Sequence, residues 1–420
     1  MLNRTLAPQF KDPVEFVLQK PVRISSTGQT PIYTLYNGNL PTLRIEFVCR
    51  AGKWFEPSAS YAVILSKMLL EGTPKYTSEQ ISAFLDQYGV FTECQPGSDY
   101  LVFSLYLLDK HAKNVLPFIA EILETASYPN DELENIKNIQ KQNLLVNLNK
   151  NSFLAYNNFK TQLFGSSHPY GKNDTPTSIE AISSEGLRLF HEKSIKNNFE
   201  IIASGAVDKN IENLLLANFT KYTSNAVSTI EKPFVADNRG LHKTPKENSI
   251  QSSFRIGSFT INDKHPDYFS LEIFNTIFGG YFGSRLMQNI REDKGYTYGI
   301  HSSLMRLHHA SFLMISTDAK KEFEGKILEE VLREIEILQT QQVPEDEYYR
   351  VINYIKGTFL SGIDNVFSQA DKFKNLHFYG LPDDYYDNYF QKIDAVKPSD
   401  VLEIANKHIN PAHFTTVIVG

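Results

Sequence analysis

An internal repeat is the strongest constraint on the fold of this chain of 420 residues. Tyr88-Gly89 recurs as Tyr298-Gly299 in the second half, and Pro129-Asn-Asp-Glu recurs as Pro344-Glu-Asp-Glu at a nearly equal spacing. Other segments keep the same order at similar spacings, which chance similarity would not do. The sequence therefore predicts two copies of one folding unit, and the length of the chain also suits two domains.

Each unit contains neighbouring strand patterns followed by long helix patterns. In the first unit the predicted strands cover residues 32–35, 43–49, 90–95 and 100–107. Thr77-Ser-Glu-Gln80 has the form of a capping box and marks the start of a helix. This order predicts an α+β fold of two homologous repeats related by a pseudo-two-fold axis, each a mainly antiparallel sheet covered by helices.

The predicted domain boundaries follow from the repeat. The first repeat covers residues 1–221, a polar linker covers 222–248, and the second repeat covers 249–420. A helix predicted at 60–70 in the first repeat corresponds to one at 268–278 in the second. Two pseudo-symmetric halves would leave a groove between them, which is a usual place for a ligand site.

Composition excludes several classes of function. The formal charge of −6, from 42 basic and 48 acidic residues, includes no basic tract, so neither nucleic acid nor a membrane surface is an expected partner. Neither a secretory signal nor a membrane-spanning run is recognisable, which predicts a cytoplasmic protein. Cys49 and Cys94 both lie in apolar strand patterns and are expected to be buried free thiols.

The second unit contains a glycine-rich stretch that is typical of a loop in contact with a ligand. Gly279, Gly280 and Gly283 lack Cβ atoms, so the backbone there can reach positive φ or lie close to another group. The pattern of Ser284–Asp293 predicts an amphipathic helix of about three turns. Lys294-Gly295 should end it, since a cation in the last turn and a following glycine favour termination.

Arg291 lies seven residues before Tyr298, and this pair allows two interpretations. A helix-terminal arginine and a strand-initial tyrosine can meet in one cavity and present a fork of donors beside a phenolic hydroxyl. Alternatively, Arg291 is a surface residue with a carboxylate partner, and Tyr298 is an ordinary strand aromatic. The spacing of the two residues does not distinguish these possibilities.

The combined pattern resembles the pitrilysin/insulinase family of zinc peptidases over nearly the whole chain. The motifs that carry the resemblance are a helix followed by Gly72-Thr73, and a duplicate unit with Gly-Gly, Ser-Arg-Leu, Ile-Arg-Glu and Gly-Tyr-x-Tyr-Gly between Gly279 and Gly299. It is closest to the short bacterial members, whose chains work in pairs and which are similar to mitochondrial processing peptidase and the cytochrome bc1 core proteins.

The chain departs from the family at the zinc site. Active members carry H-x-x-E-H on the helix before Gly-Thr, where two histidines bind zinc and the glutamate activates a water molecule. Here those positions hold Val63, Ser66 and Lys67. The third ligand should fall near Ile139–Asn143, where the sequence has no acidic residue. The other histidines are scattered, so neither a metal site nor a cofactor is expected in this chain.

By contrast, the family's substrate pair maps onto Arg291 and Tyr298. The resemblance implies that Arg291 holds a substrate carbonyl and that Tyr298 donates to the tetrahedral oxyanion. This predicts a non-catalytic, substrate-binding subunit of a heterodimeric zinc endopeptidase acting on peptides or unfolded segments. A homologous partner would supply the zinc, and the isolated chain could form a homodimer. The alternative is an inactive homologue with a structural or peptide-binding role.

Overall fold

Two β-sheets organise the computed structural model of the protein, which describes residues 16–196, 198–220 and 238–420. The strands of the first sheet are β1 (Val22–Arg23), β2 (Ile32–Tyr36), β3 (Thr42–Cys49), β4 (Phe91–Pro96), β5 (Leu101–Leu108) and β6 (Phe199–Gly205). Those of the second are β7 (Gly240–Thr244), β8 (Gln251–Phe259), β9 (Thr297–Arg306), β10 (Ser311–Lys320) and β11 (Thr415–Val419).

The helices follow the same division between the halves. The first half contains α1 (Tyr61–Met68), α2 (Ser78–Gln87), α3 (Ala112–Thr125), α4 (Asn130–Leu148), α5 (Asn151–Phe164), α6 (Pro176–Glu180), α7 (Ser184–Ser194) and α8 (Lys209–Phe219). The second contains α9 (Tyr268–Asn275), α10 (Glu324–Thr340), α11 (Glu345–Ser361), α12 (Val366–Tyr379), α13 (Tyr389–Ala395) and α14 (Pro398–His408). Short 3₁₀ turns occur at Asp109–His111, Lys321–Phe323 and Pro411–His413.

The topology of the sheets confirms the predicted duplication. The strand order is β1-β2-β6-β3-β5-β4 in the first sheet and β7-β11-β8-β10-β9 in the second. Apart from the short β1, the two orders are the same. β2 pairs with β6, and β7 with β11, in parallel, whereas the other neighbours are antiparallel. The starts of α4 and α11, at Asn130 and Glu345, have the same sequence separation as those of α5 and α12, at Asn151 and Val366.

Each half lends one helix to the sheet of the other half. Helix α5 packs on β8 and β11, and α12 packs on β6 and β2. One face of each sheet also packs against helices of its own half, in two large apolar cores. The exchanged helices form two smaller cores on the opposite faces. Because each sheet is buried on both faces in this way, the exchange holds the halves together.

The tips of two β-hairpins also meet between the halves. Asp99, in the turn between β4 and β5, accepts a hydrogen bond from the backbone N–H of His308 at 2.9 Å. Its other carboxylate oxygen accepts from the hydroxyl of the buried Tyr170. His308 Nδ1 in turn lies 3.0 Å from the carbonyl oxygen of Phe378 in α12. A buried carboxylate with two donors orders the hairpin tips relative to each other.

The region predicted as a linker contains one strand. Residues 240–244 form β7, which extends the second sheet beside β11. Residues 222–237 of the linker lie outside the described residues, so the domain boundaries stay a prediction. The two cysteines are free, as predicted, but only Cys49 is fully buried, because Cys94 lies on the edge strand β4 and is partly exposed. Within the described ranges, no helix is long and apolar enough to span a membrane.

Candidate substrate-binding site

The glycine-rich stretch is more ordered than a ligand-binding loop. Gly279 and Gly280 end a π-helical turn, Thr276–Gly280, that continues α9. The sequence suggested that glycine is needed here either for a positive φ angle or for close packing. Gly279, Gly280 and Gly283 all lack a positive φ angle, so the first reason does not apply. The other reason holds for Gly279, because an added Cβ would lie 2.7 Å from the backbone nitrogen of Ser302 in β9. Close packing against β9 therefore requires glycine at position 279.

The predicted helix at 284–293 is present but is largely not an α-helix. Met287–Asp293 adopt π-helical geometry, which the sequence pattern did not indicate. Lys294 caps the turn, and Gly295 follows with φ of 64°, so the predicted end is confirmed. The wider π-helical turn changes the direction in which its side chains project, and such turns occur frequently at functional sites.

Arg291 lies on this π-helical turn beside the tip of the glycine-rich stretch. Its guanidinium carbon is 4.7 Å from the ring centroid of Phe282, whose side chain is 65% exposed. Its ion pair is with the neighbouring Glu292, at 3.5 Å, and the two side chains are 33% and 45% exposed. An exposed pair of this kind contributes little energy, so the guanidinium can exchange it for another acceptor.

Tyr298 lies at the start of β9, which is an edge strand of the second sheet. Its side chain is 90% exposed, and its hydroxyl makes no hydrogen bond within the described part of the chain. The preceding Thr297 is buried and donates to the carbonyl oxygen of Asp318 at 2.7 Å. Anchoring of Thr297 fixes the backbone, so Tyr298 is directed outward with a free donor.

The structure places Arg291 and Tyr298 in adjacent elements but does not join their side chains. The π-helical turn packs against β9, yet no hydrogen bond links the two residues. Tyr298 lines a cavity of about 470 Å³ between α5 and the second sheet, and Arg291 is not part of its lining. Both donors are accessible to solvent on adjacent elements, which suits a group that arrives from outside the chain.

The positions of the zinc motif lie on α1 and do not form a metal site. The hydroxyl of the buried Ser66 donates to the carbonyl oxygen of Val63 at 2.7 Å, within the helix. Lys67 is exposed and makes no ion pair with the described residues. An aliphatic group, a hydroxyl bonded to its own helix and an ammonium provide no set of zinc ligands.

Helix α4, which packs against α1, carries cations in and beside the stretch where the third ligand was expected. Lys137 is buried and contacts Glu134 at 2.8 Å, and Lys141 contacts Glu180 at 2.5 Å. Both carboxylates are already paired, and both lie outside the expected stretch 139–143. The residues present at α1 and α4 therefore do not fit zinc.

One cluster of potential metal ligands, elsewhere in the fold, was not predicted from the sequence. His265, Asp267 and His408 place ligand atoms within 4.8 Å of one another where α14 meets the start of α9. The same Asp267 oxygen contacts Lys407 at 2.6 Å and His408 at 2.9 Å. These contacts lower the pKa of Asp267 to about 2, with the hydrogen bond from Lys407 as the largest cause. The cluster is already neutralised by a lysine, and it acts as an ion-pair junction in this structure.

Comparison with known families identifies the fold described above. Residues 36–164 match the sequence model described as "Insulinase (Peptidase family M16)", and residues 181–355 match "Peptidase M16 inactive domain". The chain belongs to the insulinase family of peptidases. Because Val63, Ser66 and Lys67 replace the zinc motif, it is a member that lacks the catalytic motif.

Relatives in this family are distant but similar in length. A "Non-peptidase homolog YmxG" of Helicobacter pylori is 21% identical over 368 residues, covering 86% of this chain and 84% of the relative. An "Uncharacterized zinc protease" of Rickettsia bellii is 22% identical over 405 residues, covering 92% and 95%. The names of these proteins thus differ on whether they are peptidases.

Solved structures share the whole fold. A "peptidase M16 inactive domain" from Pseudomonas fluorescens superposes with a TM-score of 0.85 at 22% identity, covering 96% of this chain and 98% of that one. A protease from Helicobacter pylori has a TM-score of 0.84 at 15% identity, covering 96% and 100%. At such identities the likeness establishes the insulinase-type fold and leaves the activity to be argued from the site.

Proposed function

We propose that this insulinase-family chain is the non-catalytic, substrate-binding subunit of a heterodimeric zinc endopeptidase. A homologous partner chain carries the zinc site, and this chain contributes Arg291 and Tyr298 to it. The substrates are peptides or unfolded protein segments, and the complex acts in the cytoplasm.

One observation carries the proposal: Tyr298 is exposed with a free hydroxyl, and Arg291 has only a weak ion pair, in a chain whose zinc-motif positions hold no zinc ligands. A tyrosine that is 90% exposed, with a free hydroxyl on an edge strand, has no evident role in the stability of its own fold. Next to a zinc centre, the same hydroxyl would donate to the negative charge that develops on a tetrahedral intermediate. Such donors contribute several kcal/mol to catalysis when water is excluded.

The two chains supply different groups for peptide cleavage. Zinc bound to the partner would polarise the scissile carbonyl and activate water, and this chain supplies no group for that step. Arg291 offers a planar fork of N–H donors for a backbone carbonyl of the substrate. The free edge of β9 can pair with an extended peptide, which holds the scissile bond next to Tyr298.

Reconstitution tests the proposal. The partner is sought as an insulinase-family chain from the same genome that contains H-x-x-E-H. Each purified chain and their mixture are assayed with a library of unstructured peptides. We expect cleavage only by the mixture, together with a 1:1 complex in size-exclusion chromatography. A partner that is fully active alone and unaffected by this chain would overturn the proposal.

The alternative is an inactive homologue that holds other proteins together or binds peptides without cleavage. The replacement of the zinc ligands supports an inactive homologue as well as it supports a non-catalytic peptidase subunit. The two proposals differ in whether Arg291 and Tyr298 affect turnover, which the variants described in the Discussion measure.

A further inference from the structure

The two exchanged helices pack on their sheets through different chemistry, although the positions are equivalent. In the first sheet, Arg44 and Glu46 of β3 face Asp371 and Lys374 of α12. Arg44 lies 3.2 Å from Glu46 and 3.1 Å from Asp371, and Lys374 lies 2.5 Å from Glu46 and 3.0 Å from Asp371. Two cations and two carboxylates thus neutralise each other beneath α12.

Pairing within the sheets identifies the corresponding residues in the other half. Glu46 pairs with Ile202 of β6, and Arg255 pairs with Val417 of β11. Ile202 and Val417 are equivalent positions, because their sequence separation equals that between the starts of α5 and α12. Arg255 is therefore the structural counterpart of Glu46. At this spacing, the counterparts of Asp371 and Lys374 on α5 are Tyr156 and Phe159.

This replacement leaves Arg255 without an ion-pair partner among the described residues. Arg255 is partly buried and donates to two backbone carbonyl oxygens, those of Phe254 at 2.6 Å and Ser152 at 3.4 Å. No carboxylate of the described residues forms an ion pair with it. Burial lowers the pKa of Arg255, which shows that the charged guanidinium is held in an unfavourable environment.

A second cation, Lys160, lies on α5, one turn after Tyr156. Its ammonium is 4.8 Å from the ring centroid of Tyr156, and it makes no hydrogen bond with the described residues. Burial, followed by the charge of Lys53, lowers the pKa of Lys160 to about 8. Lys53 itself is paired with Asp174 at 3.2 Å. An anion bound beside Arg255 would relieve the cost of burying its charge.

Space for such an anion exists. The cavity of about 470 Å³ that Tyr298 lines also contains Tyr156, Arg255 and His301 on its walls, with Met314 as an apolar surface. Asp318 belongs to the same wall, is exposed, and forms no ion pair with the described residues. Its negative charge partly offsets Arg255, so the cavity suits one negative charge better than a doubly charged group such as a phosphate.

We propose that this cavity binds a carboxylate group of a peptide, with Arg255 as its counter-ion. Arg255 occupies the position of Glu46, which Arg44 and Lys374 neutralise in the other half. The inference rests on the proposed function, because it names acidic peptides as the substrate class of the same site. The carboxylate is either an acidic side chain or the C-terminus of the peptide.

Fluorescence polarisation with the full chain tests the proposal. Three labelled peptides share one unstructured sequence: one has a central Glu and an amidated C-terminus, one has Gln instead, and one has Gln with a free C-terminal carboxylate. We expect at least one carboxylate peptide to bind roughly tenfold more tightly than the amidated Gln peptide. The carboxylate peptide that binds more tightly identifies the source of the charge.

Variants locate the preference in the cavity. Arg255→Gln should remove it while Arg255→Lys keeps part of it, and Asp318→Asn, which removes the opposing charge, should strengthen it. Arg333→Gln, at an exposed arginine of α10, is the matched control and should change nothing. Thermal melts verify that each variant is folded.

The outcomes separate the two proposals. Equal binding of the carboxylate and amide peptides, or a preference that survives Arg255→Gln in folded protein, overturns the carboxylate site and leaves peptide binding intact. If no peptide binds and the reconstituted pair cleaves none, both the carboxylate site and the proposed function are overturned.

Discussion

Trp54 of the first half stacks on His309 of the second, with ring centroids 3.8 Å apart and an angle of 20° between the planes. Trp54 is 4% exposed and precedes α1, whereas His309 lies in the turn between β9 and β10. The stack therefore joins the segment before the lost zinc motif to the hairpin that contains Tyr298.

This contact makes the single tryptophan of the chain a reporter of the junction between the halves. His309→Ala removes the stacked ring and admits water to Trp54, so its emission should shift to the red. We expect a loss of about 1–3 kcal/mol in the free energy of unfolding. Denaturant titration measures it, and His309→Phe, which keeps an aromatic ring, should lose less. Unchanged emission in His309→Ala would show that the stack does not persist in solution.

Glu46→Ala should destabilise the fold strongly, because it leaves Arg44 and Lys374 without the buried carboxylate between them. Removal of one member of a buried ionic network costs about 3–5 kcal/mol. Asp346→Ala removes an exposed carboxylate 3.3 Å from Arg350 and should cost less than about 1 kcal/mol. Urea unfolding of both variants provides the comparison, and equal losses would contradict the network.

Tyr298→Phe should lower turnover by the reconstituted pair by roughly a hundredfold, because the oxyanion loses one donor. Arg291→Lys keeps the charge but loses the planar fork, so it should weaken peptide binding as well as rate. Tyr349→Phe, at another exposed tyrosine, serves as the control. Steady-state cleavage by each mixture is the measurement. Unchanged rates in both site variants would favour the structural or peptide-binding alternative.

Dialysed protein should contain no stoichiometric zinc, because Val63, Ser66 and Lys67 provide no ligands. Introducing His at 63 and 67 and Glu at 66 should still give no peptidase activity in this chain alone, since Ile139–Asn143 lacks the third ligand. Elemental analysis measures the metal content. About one tightly held zinc per chain that is lost on His265→Ala or His408→Ala would instead assign a zinc site to that cluster.

Glu56→Gln should change how stability depends on pH. Burial is the main cause that raises the pKa of Glu56 from 4.5 to about 7, against a hydrogen bond from the backbone N–H of Ala62. Between pH 4.5 and 7 the folded state therefore binds more protons than the unfolded state, and rising pH removes stability. The variant cannot titrate, so its free energy of unfolding relative to wild type should rise by about 2–3 kcal/mol over that window.

Chemical denaturation at several pH values between 4 and 8 measures this difference. The comparison with wild type cancels other titrating groups, such as His191, whose pKa burial lowers to about 4. A constant difference across the window would show that folding does not raise the pKa of Glu56.

Local patterns in the sequence predicted the elements and their duplication. The capping box at Thr77 is present, with its side chain accepting from the backbone of Gln80, and α4 begins directly after Pro129. Helix caps and helix starts depend on residues that are close in sequence, so the sequence alone predicts them. The loss of the two zinc ligands at 63 and 67, and of the glutamate at 66, was visible for the same reason, since the motif occupies five consecutive residues.

Only the tertiary structure showed what depends on contacts between distant residues. The exchange of α5 and α12 between the sheets has no local signal, because an apolar helical face does not specify which sheet covers it. That Arg255 lacks an ion-pair partner among the described residues becomes clear only from the fold, when its surroundings are compared with those of Glu46 in the other half. Likewise, His265 and His408 meet because α9 packs on α14. Packing of elements that are remote in sequence decides these relationships, and electrostatics then depends on which charges the packing brings together.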